Sequence, residues 1–189
     1  ATAILAGDAL QTLAFELLAH DPALAVDPAQ RLAMLAQLAQ ATGSAGMAGG
    51  QAIDLGAVGR PLTLAGLEDM HARKTGALIR AAVALGALSA PDIDAARLAQ
   101  LDAYARAIGL AFQITDDILD VEGDTATLGK PQGSDQKHAK PTYPALLGLE
   151  RARALAREQH TVALESLRTL GDNGMLLGEI ADFIVDRTH

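Results

Sequence analysis

The sequence predicts an all-α protein, and three observations carry that expectation. Half of the 189 residues are hydrophobic yet only 3% are aromatic, and the balance is mostly Ala and Leu, both good helix formers. There is no Trp and no run of β-branched residues that would favour a strand. Proline, glycine and capping residues recur at helix-length intervals.

The elements follow in order. Ala1 to about His20 reads as one apolar helix closed by Asp21-Pro22. Asp27-Pro28 restarts a helix, since Asp caps and Pro suits the first turn; Leu32, Leu35, Leu38 and Ala39 are its expected apolar face. Ser44 is the expected cap of a third helix containing Gly46, Gly49 and Gly50. Each glycine costs about 1 kcal/mol relative to Ala in a helix, so close approach of a neighbouring helix or a ligand is the expected compensation. Gly56 and Gly59-Arg60-Pro61 end that segment. A longer helix runs from about Thr63 to Gly86. Ser89-Ala90-Pro91 starts another that reaches Val121. Residues 122–140 carry Gly123, Gly129, Pro131 and Gly133 in a polar stretch, a long loop of the kind that is usually functional or disordered. A short helix over 141–148 and two more over 149–170 and 174–187 complete a single domain spanning 1–189, with no internal repeat or linker.

The net charge of -8 argues against nucleic acid, which needs Lys and Arg clustered on one face. Cysteine is absent, so there is no disulfide framework or thiolate metal site. No signal peptide is evident, nor an uncharged apolar stretch near 18 residues; the expectation is a cytoplasmic protein without a membrane span.

The most informative segment is Phe112-Gln113-Ile114-Thr115-Asp116-Asp117-Ile118-Leu119-Asp120. Asp116 and Asp120 are four residues apart and stack on one helix face at about 5–6 Å. Gln113 lies one turn earlier and Asp117 sits beside them. No Lys or Arg lies between Ala107 and Val121, and the acids crowd a helix C-terminus, where the macrodipole disfavours anions. A cation would relieve both effects. Hard oxygen donors suit Mg²⁺, which typically takes one or two carboxylates together with substrate phosphates. The competing reading is a solvated acidic face.

A diphosphate held by Mg²⁺ leaves further negative oxygens. Lys74-Thr75-Gly76, in mid-helix between Met70 and Leu78, and Lys130 and Lys140, in the glycine-rich loop, are the candidates to meet them; taken singly, each also reads as an ordinary surface lysine. Gln51 and Asp54 share a helix face, and Asp8 lies one turn before Thr12. Both pairs suit buried structural roles as well as substrate-facing ones. His71, one turn before Lys74, either orients it or caps a polar network. No two histidines have metal-ligand spacing on one helix.

Together these segments resemble the trans-isoprenyl diphosphate synthases, in particular the bacterial farnesyl and geranylgeranyl diphosphate synthase type. The resemblance runs through Ala6-Gly7-Asp8-Ala9-Leu10, Gly46 to Asp54, His71 to Ile79 and Phe112 to Asp120. It continues through Gly123-Asp124, Leu128-Gly129-Lys130, Gly133-Ser134-Asp135 and Lys140-Pro141-Thr142-Tyr143-Pro144. It implies an isoprenoid synthase helical bundle that condenses isopentenyl diphosphate with an allylic diphosphate (dimethylallyl, geranyl or farnesyl) in a Mg²⁺-dependent reaction, in a homodimer. It further implies that Asp116 holds metal with Asp117 and Asp120 supporting it, and that Lys74, Thr75 and Gln113 face the allylic diphosphate. Lys130 and Lys140 would close on the same group, making Lys74, Asp116 and Lys130 the catalytic set.

One feature of the family is missing: a first aspartate-rich motif facing the second. Asp116-Asp117-Ile118-Leu119-Asp120 is the single D-D-x-x-D here, and residue 1 is an Ala that already reads as helix without a cap. The expectation is therefore a C-terminal portion that does not catalyse by itself. Two other readings stand beside the synthase. One is a non-catalytic accessory subunit of the same fold, and the other a terpene cyclase or head-to-head synthase.

Overall fold

The computed structural model describes residues 1–60, 62–90, 92–122 and 141–187. Most of the expected loop over 122–140, with Lys130 and Lys140, lies outside them. The described residues are helical, with no strand among them. In chain order the helices are α1 (Thr2–His20), α2 (Pro28–Thr42), α3 (Met47–Gly56) and α4 (Leu64–His71). A π-helical segment (Ala72–Gly76) leads into α5 (Ala77–Leu88). Then come α6 (Ala95–Glu122), α7 (Tyr143–Leu147), α8 (Leu149–Leu167), a 3₁₀ turn (Arg168–Gly174) and α9 (Met175–Asp186).

Local chemistry explains most of these boundaries. The Asp27 carboxylate accepts from the amides of Ala29 and Gln30 with Pro28 at the first helical position, and the Thr63 hydroxyl accepts from the Gly66 amide. Two expected caps are corrected. Ser44 lies in a turn before α3, whose N-cap is Gly46 without a side-chain bond. Asp94, rather than Ser89, starts α6, accepting from the Arg97 amide at 2.7 Å, while the Ser89 hydroxyl donates back to the Gly86 carbonyl. The apolar face of α2 is also shifted by a fraction of a turn: Met34, Leu38 and Ala41 are buried and Leu32 is exposed, because α2 packs on both α1 and α5 rather than along one seam.

The core is built around α6, which packs most extensively on α8 and next on α5. One cluster joins Leu101, Tyr104, Ala105, Ile108 and Ala111 of α6 to Ala163 and Leu167 of α8 and Ala181 of α9. Alanines at this seam bring the helices close, and the Tyr104 hydroxyl donates to the Leu177 carbonyl at 2.8 Å. A second cluster, nearer the acidic end of α6, joins Leu67 and Met70 of α4, Ile114 and Ile118 of α6, Tyr143 of α7 and Ala152 and Ala156 of α8.

Helix α1 stands apart. None of its residues is buried, and Ile4, Leu5, Leu10, Leu13 and Leu17 are exposed. Among the described residues it is the one helix long and apolar enough, by length and composition, to cross a membrane, although it carries Asp8 and Glu16.

Candidate functional site

The lysine segment is shaped by backbone proximity. The expected helix over Thr63 to Gly86 is interrupted at Ala72–Gly76 by a π-helical turn, a distortion that concentrates at functional positions. Two glycines seat it. A Cβ on Gly50 would lie 2.2 Å from the Lys74 amide nitrogen, so only glycine lets α3 press against this turn. On the other side a Cβ on Gly109 of α6 would stand 3.5 Å from the Gly76 Cα. The close approach expected of the 46–50 glycines is thus realised at Gly50.

That contact places Lys74 beside Asp54 of α3: the ammonium donates to Asp54 Oδ2 at 2.6 Å. Asp54 is buried while about a third of the Lys74 side chain remains exposed. The carboxylate therefore holds the ammonium from behind and leaves its outer face accessible. A buried carboxylate without that cation would be strongly disfavoured, which ties the two residues together.

His71 sits at the centre of the expected residues. Burial lowers its pKa to about 4; the Gln113 side chain opposes this, nearby Lys74 adds to it, and Asp54 and Asp116 work weakly the other way. The imidazole is thus neutral at physiological pH and has Lys74, Asp54, Asp116 and Gln113 around it. Among the described residues neither ring nitrogen has a hydrogen-bond partner. The ring stacks on Tyr143, with centroids 5.6 Å apart and planes 21° from parallel.

The three aspartates do not form one exposed stripe. The Asp116 side chain is 46% exposed, whereas Asp117 and Asp120 are buried, at 6% and 1%. Asp117 Oδ2 accepts the Tyr143 backbone amide at 2.9 Å. Among the described residues no group of three or more His, Asp or Glu side chains converges to hold a metal ion. A site drawing on Asp116 fits Mg²⁺ in its usual mode, with one or two protein carboxylates and the remaining positions filled by water and phosphate. Hard carboxylate oxygen is the donor such an ion requires.

Two neighbours of the candidate site were given no role by the sequence. Arg187, just past α9, places its guanidinium 4.4 Å from the centre of the Phe112 ring and 3.6 Å from Asp116 Oδ1. The acidic end of α6 lacks a cation on its own helix but receives one from the far end of the chain. Tyr143 is the other, wholly buried against α4 and α6. Tyr143 falls in the Lys140 to Pro144 segment that carries the resemblance, but no local pattern gives it or Arg187 a role, because both contacts join segments remote along the chain. Lys74, Gln113 and Asp116 are brought to one region around His71; Thr75 follows Lys74 in the same π turn.

Comparison with known proteins adds to this geometry. The family model for polyprenyl synthetase matches residues 1–171. The chain is 56% identical over 190 residues to a farnesyl diphosphate synthase of Escherichia coli (strain K12), covering 99% of this chain and 64% of that protein. Among solved structures, a putative farnesyl-diphosphate synthase from Marinomonas sp. MED121 superposes with a TM-score of 0.81 at 45% identity, covering 98% of this chain and 62% of that one. A geranyltransferase from Helicobacter pylori, complexed with magnesium and isoprenyl diphosphate, gives a TM-score of 0.80 at 34% identity, covering 98% and 59%. The chain thus spans somewhat under two thirds of the length of these relatives.

Proposed function

This chain belongs to the polyprenyl synthetase family, and from that premise we propose that it supplies the allylic-diphosphate half of a short-chain trans-prenyltransferase. The reaction joins isopentenyl diphosphate to an allylic diphosphate. The observation that carries the proposal is the seating of the Lys74 turn between Gly50 of α3 and Gly109 of α6, the helix that also carries Gln113 and Asp116.

In this reading the outer face of the Lys74 ammonium meets diphosphate oxygens while Asp54 fixes its position from behind. The Gln113 amide donates to the same group. As the allylic C–O bond breaks, negative charge grows on the departing diphosphate, and a preorganised ammonium is worth most at that moment. Asp116, with Asp120 behind it on α6, would hold magnesium, whose chemistry when bound is to neutralise the leaving diphosphate. Lys130 and Lys140 would close on the same oxygens. The apolar residues of α4 to α6 exclude water from the allylic cation; the double bond of isopentenyl diphosphate attacks it, and the resulting cation loses a proton to the departed diphosphate. His71, neutral beside Lys74, adds no cation of its own.

The test is made on protein of the relatives' full length, with isopentenyl and dimethylallyl diphosphates. Condensation in magnesium that stops on chelation and returns on its restoration is the expected result. Absence of condensation in a folded protein with magnesium present overturns the proposal. Dimerisation, proposed from the family resemblance, is checked by sedimentation of the same preparation.

A further inference from the structure

Tyr143 touches both walls of the candidate site. It opens α7, whose N-cap Thr142 accepts from the Ala145 amide at 3.3 Å. The first amides of a helix have no partner within it, and that of Tyr143 is taken by a carboxylate from another helix, Asp117, at 2.9 Å in a buried setting. Bonds of this charge-assisted kind are stronger and more directional than neutral ones. The ring projects the other way and stacks on His71, the last residue of α4 and the one immediately before the π turn that carries Lys74. Asp117 is the sequence neighbour of Asp116. One buried residue therefore spans from the acidic end of α6 to the root of the lysine segment.

The chemistry of the contact is not that of a plain core filling. Tyr143 lies in an apolar cluster with Leu67, Met70, Ile114 and Ile118, yet among the described residues its hydroxyl has no hydrogen-bond partner, nor do the two ring nitrogens of His71. A leucine would serve that cluster without burying an unsatisfied hydroxyl. What leucine cannot supply is a flat face against an imidazole.

We propose that Tyr143 and His71 are positioning residues that set the separation between Lys74 and Asp116, with Asp117 acting through the Tyr143 amide rather than on the metal. The inference rests on the diphosphate-binding reading above. Misplacement by about 1 Å of groups that must grip one ligand from two sides costs on the order of 10- to 100-fold, and that is the size of effect expected when the stack is lost.

The experiment measures binding of inorganic pyrophosphate with saturating Mg²⁺ by calorimetry, in protein of the relatives' full length, with folding followed by circular dichroism. Tyr143→Phe keeps the ring and removes the unsatisfied hydroxyl; it binds as wild type and melts no lower. Tyr143→Leu keeps the amide but loses the flat ring, and binds about 10- to 100-fold more weakly. Asp117→Asn retains an oxygen for the amide and loses less than Asp117→Ala. In turnover, Tyr143→Leu raises KM for the allylic diphosphate and leaves that for isopentenyl diphosphate in place, whereas a loosened core would move both. If Tyr143→Leu does not fold, His71→Ala empties the other side of the stack and carries the same comparison. A folded Tyr143→Leu or His71→Ala that binds like wild type overturns the inference, as do equal losses in Asp117→Asn and Asp117→Ala, the mark of a direct metal ligand. If wild type itself binds no magnesium pyrophosphate, the proposed function fails instead.

Discussion

Helices α1 and α6 are both long and both carry aspartate, yet they occupy opposite extremes of this molecule. No residue of α1 is buried, while α6 buries twelve, two aspartates among them. Composition would predict the reverse, since α1 is the more apolar of the two and α6 carries Arg97, Asp102, Arg106 and Glu122 besides its aspartate motif; the neighbours decide. α6 is flanked by α5, α8 and α9, whereas α1 rests on α2. An acid within a surrounded helix must be held by something, and Asp117 is, by the Tyr143 amide. An acid on a helix facing solvent needs nothing, and Asp8 offers only its backbone carbonyl, to the Thr12 hydroxyl. The chemistry of an acidic residue thus follows from how many elements converge on its helix.

The largest expected effect lies at the acidic end of α6. In protein of the relatives' full length, Asp116→Ala lowers turnover by about 10²–10³-fold, the scale of losing one preorganised electrostatic group at a developing charge. The side chain is half exposed, so the fold persists. Near-normal turnover would remove Asp116 from the metal assignment and make α6 as inert as α1.

Next comes the glycine between α3 and the π turn. A methyl group at Gly50 meets the Lys74 amide nitrogen at 2.2 Å and its Cα at 2.5 Å. Both are backbone atoms that cannot rotate away. Gly50→Ala is expected to cost about 3 kcal/mol, the upper end for overpacking, and to displace Lys74 from Asp54. Unchanged thermal unfolding would show that α3 does not press on the lysine turn in solution.

A smaller effect separates the two halves by pH. The His71 pKa is lowered from 6.5 to about 4, chiefly by burial, so the unfolded chain takes up a proton before the folded one does. Stability is fully present above the unfolded value near 6.5 and is lost as pH falls toward 4. At most about 1.4 kcal/mol is lost per pH unit in that window. His71→Gln flattens the slope between pH 6.5 and 5.5, where carboxylates contribute little. Retention of the wild-type slope in that variant would place the imidazole in water.

The sequence made α1, α2 and the helix-rich architecture readable because caps and breakers act locally: Asp27, Thr63 and Gly59 each set a boundary within a few residues. Lys74, Gln113 and Asp116 stood out as candidates because their residue types are improbable in apolar helices. The π turn at 72–76 was not, since it depends on α3 and α6 pressing from either side. Nor was the division of the aspartates into one half-exposed and two buried, because helix periodicity fixes a direction but not what stands in that direction. Arg187 reaches Phe112 and Asp116 across 75 and 71 positions of chain, a distance over which no local pattern speaks.

The smallest effect has the opposite sign to that at Gly50, and this makes it the sharper test of the comparison. Gly7 is interior to α1, and a Cβ there meets nothing within 4 Å. Glycine within a helix is about 0.8–1 kcal/mol less favourable than alanine, because its unfolded chain has more freedom to lose. With no neighbour to strike, Gly7→Ala in the 189-residue chain should be more stable by about 0.5–1 kcal/mol, read as a higher denaturation midpoint at unchanged slope. A lower midpoint would mean that something packs on this face of α1 in solution, a second copy of the chain for example. Then the contrast with α6 would be one of which partner is present, and no longer one between a solvated helix and a surrounded one.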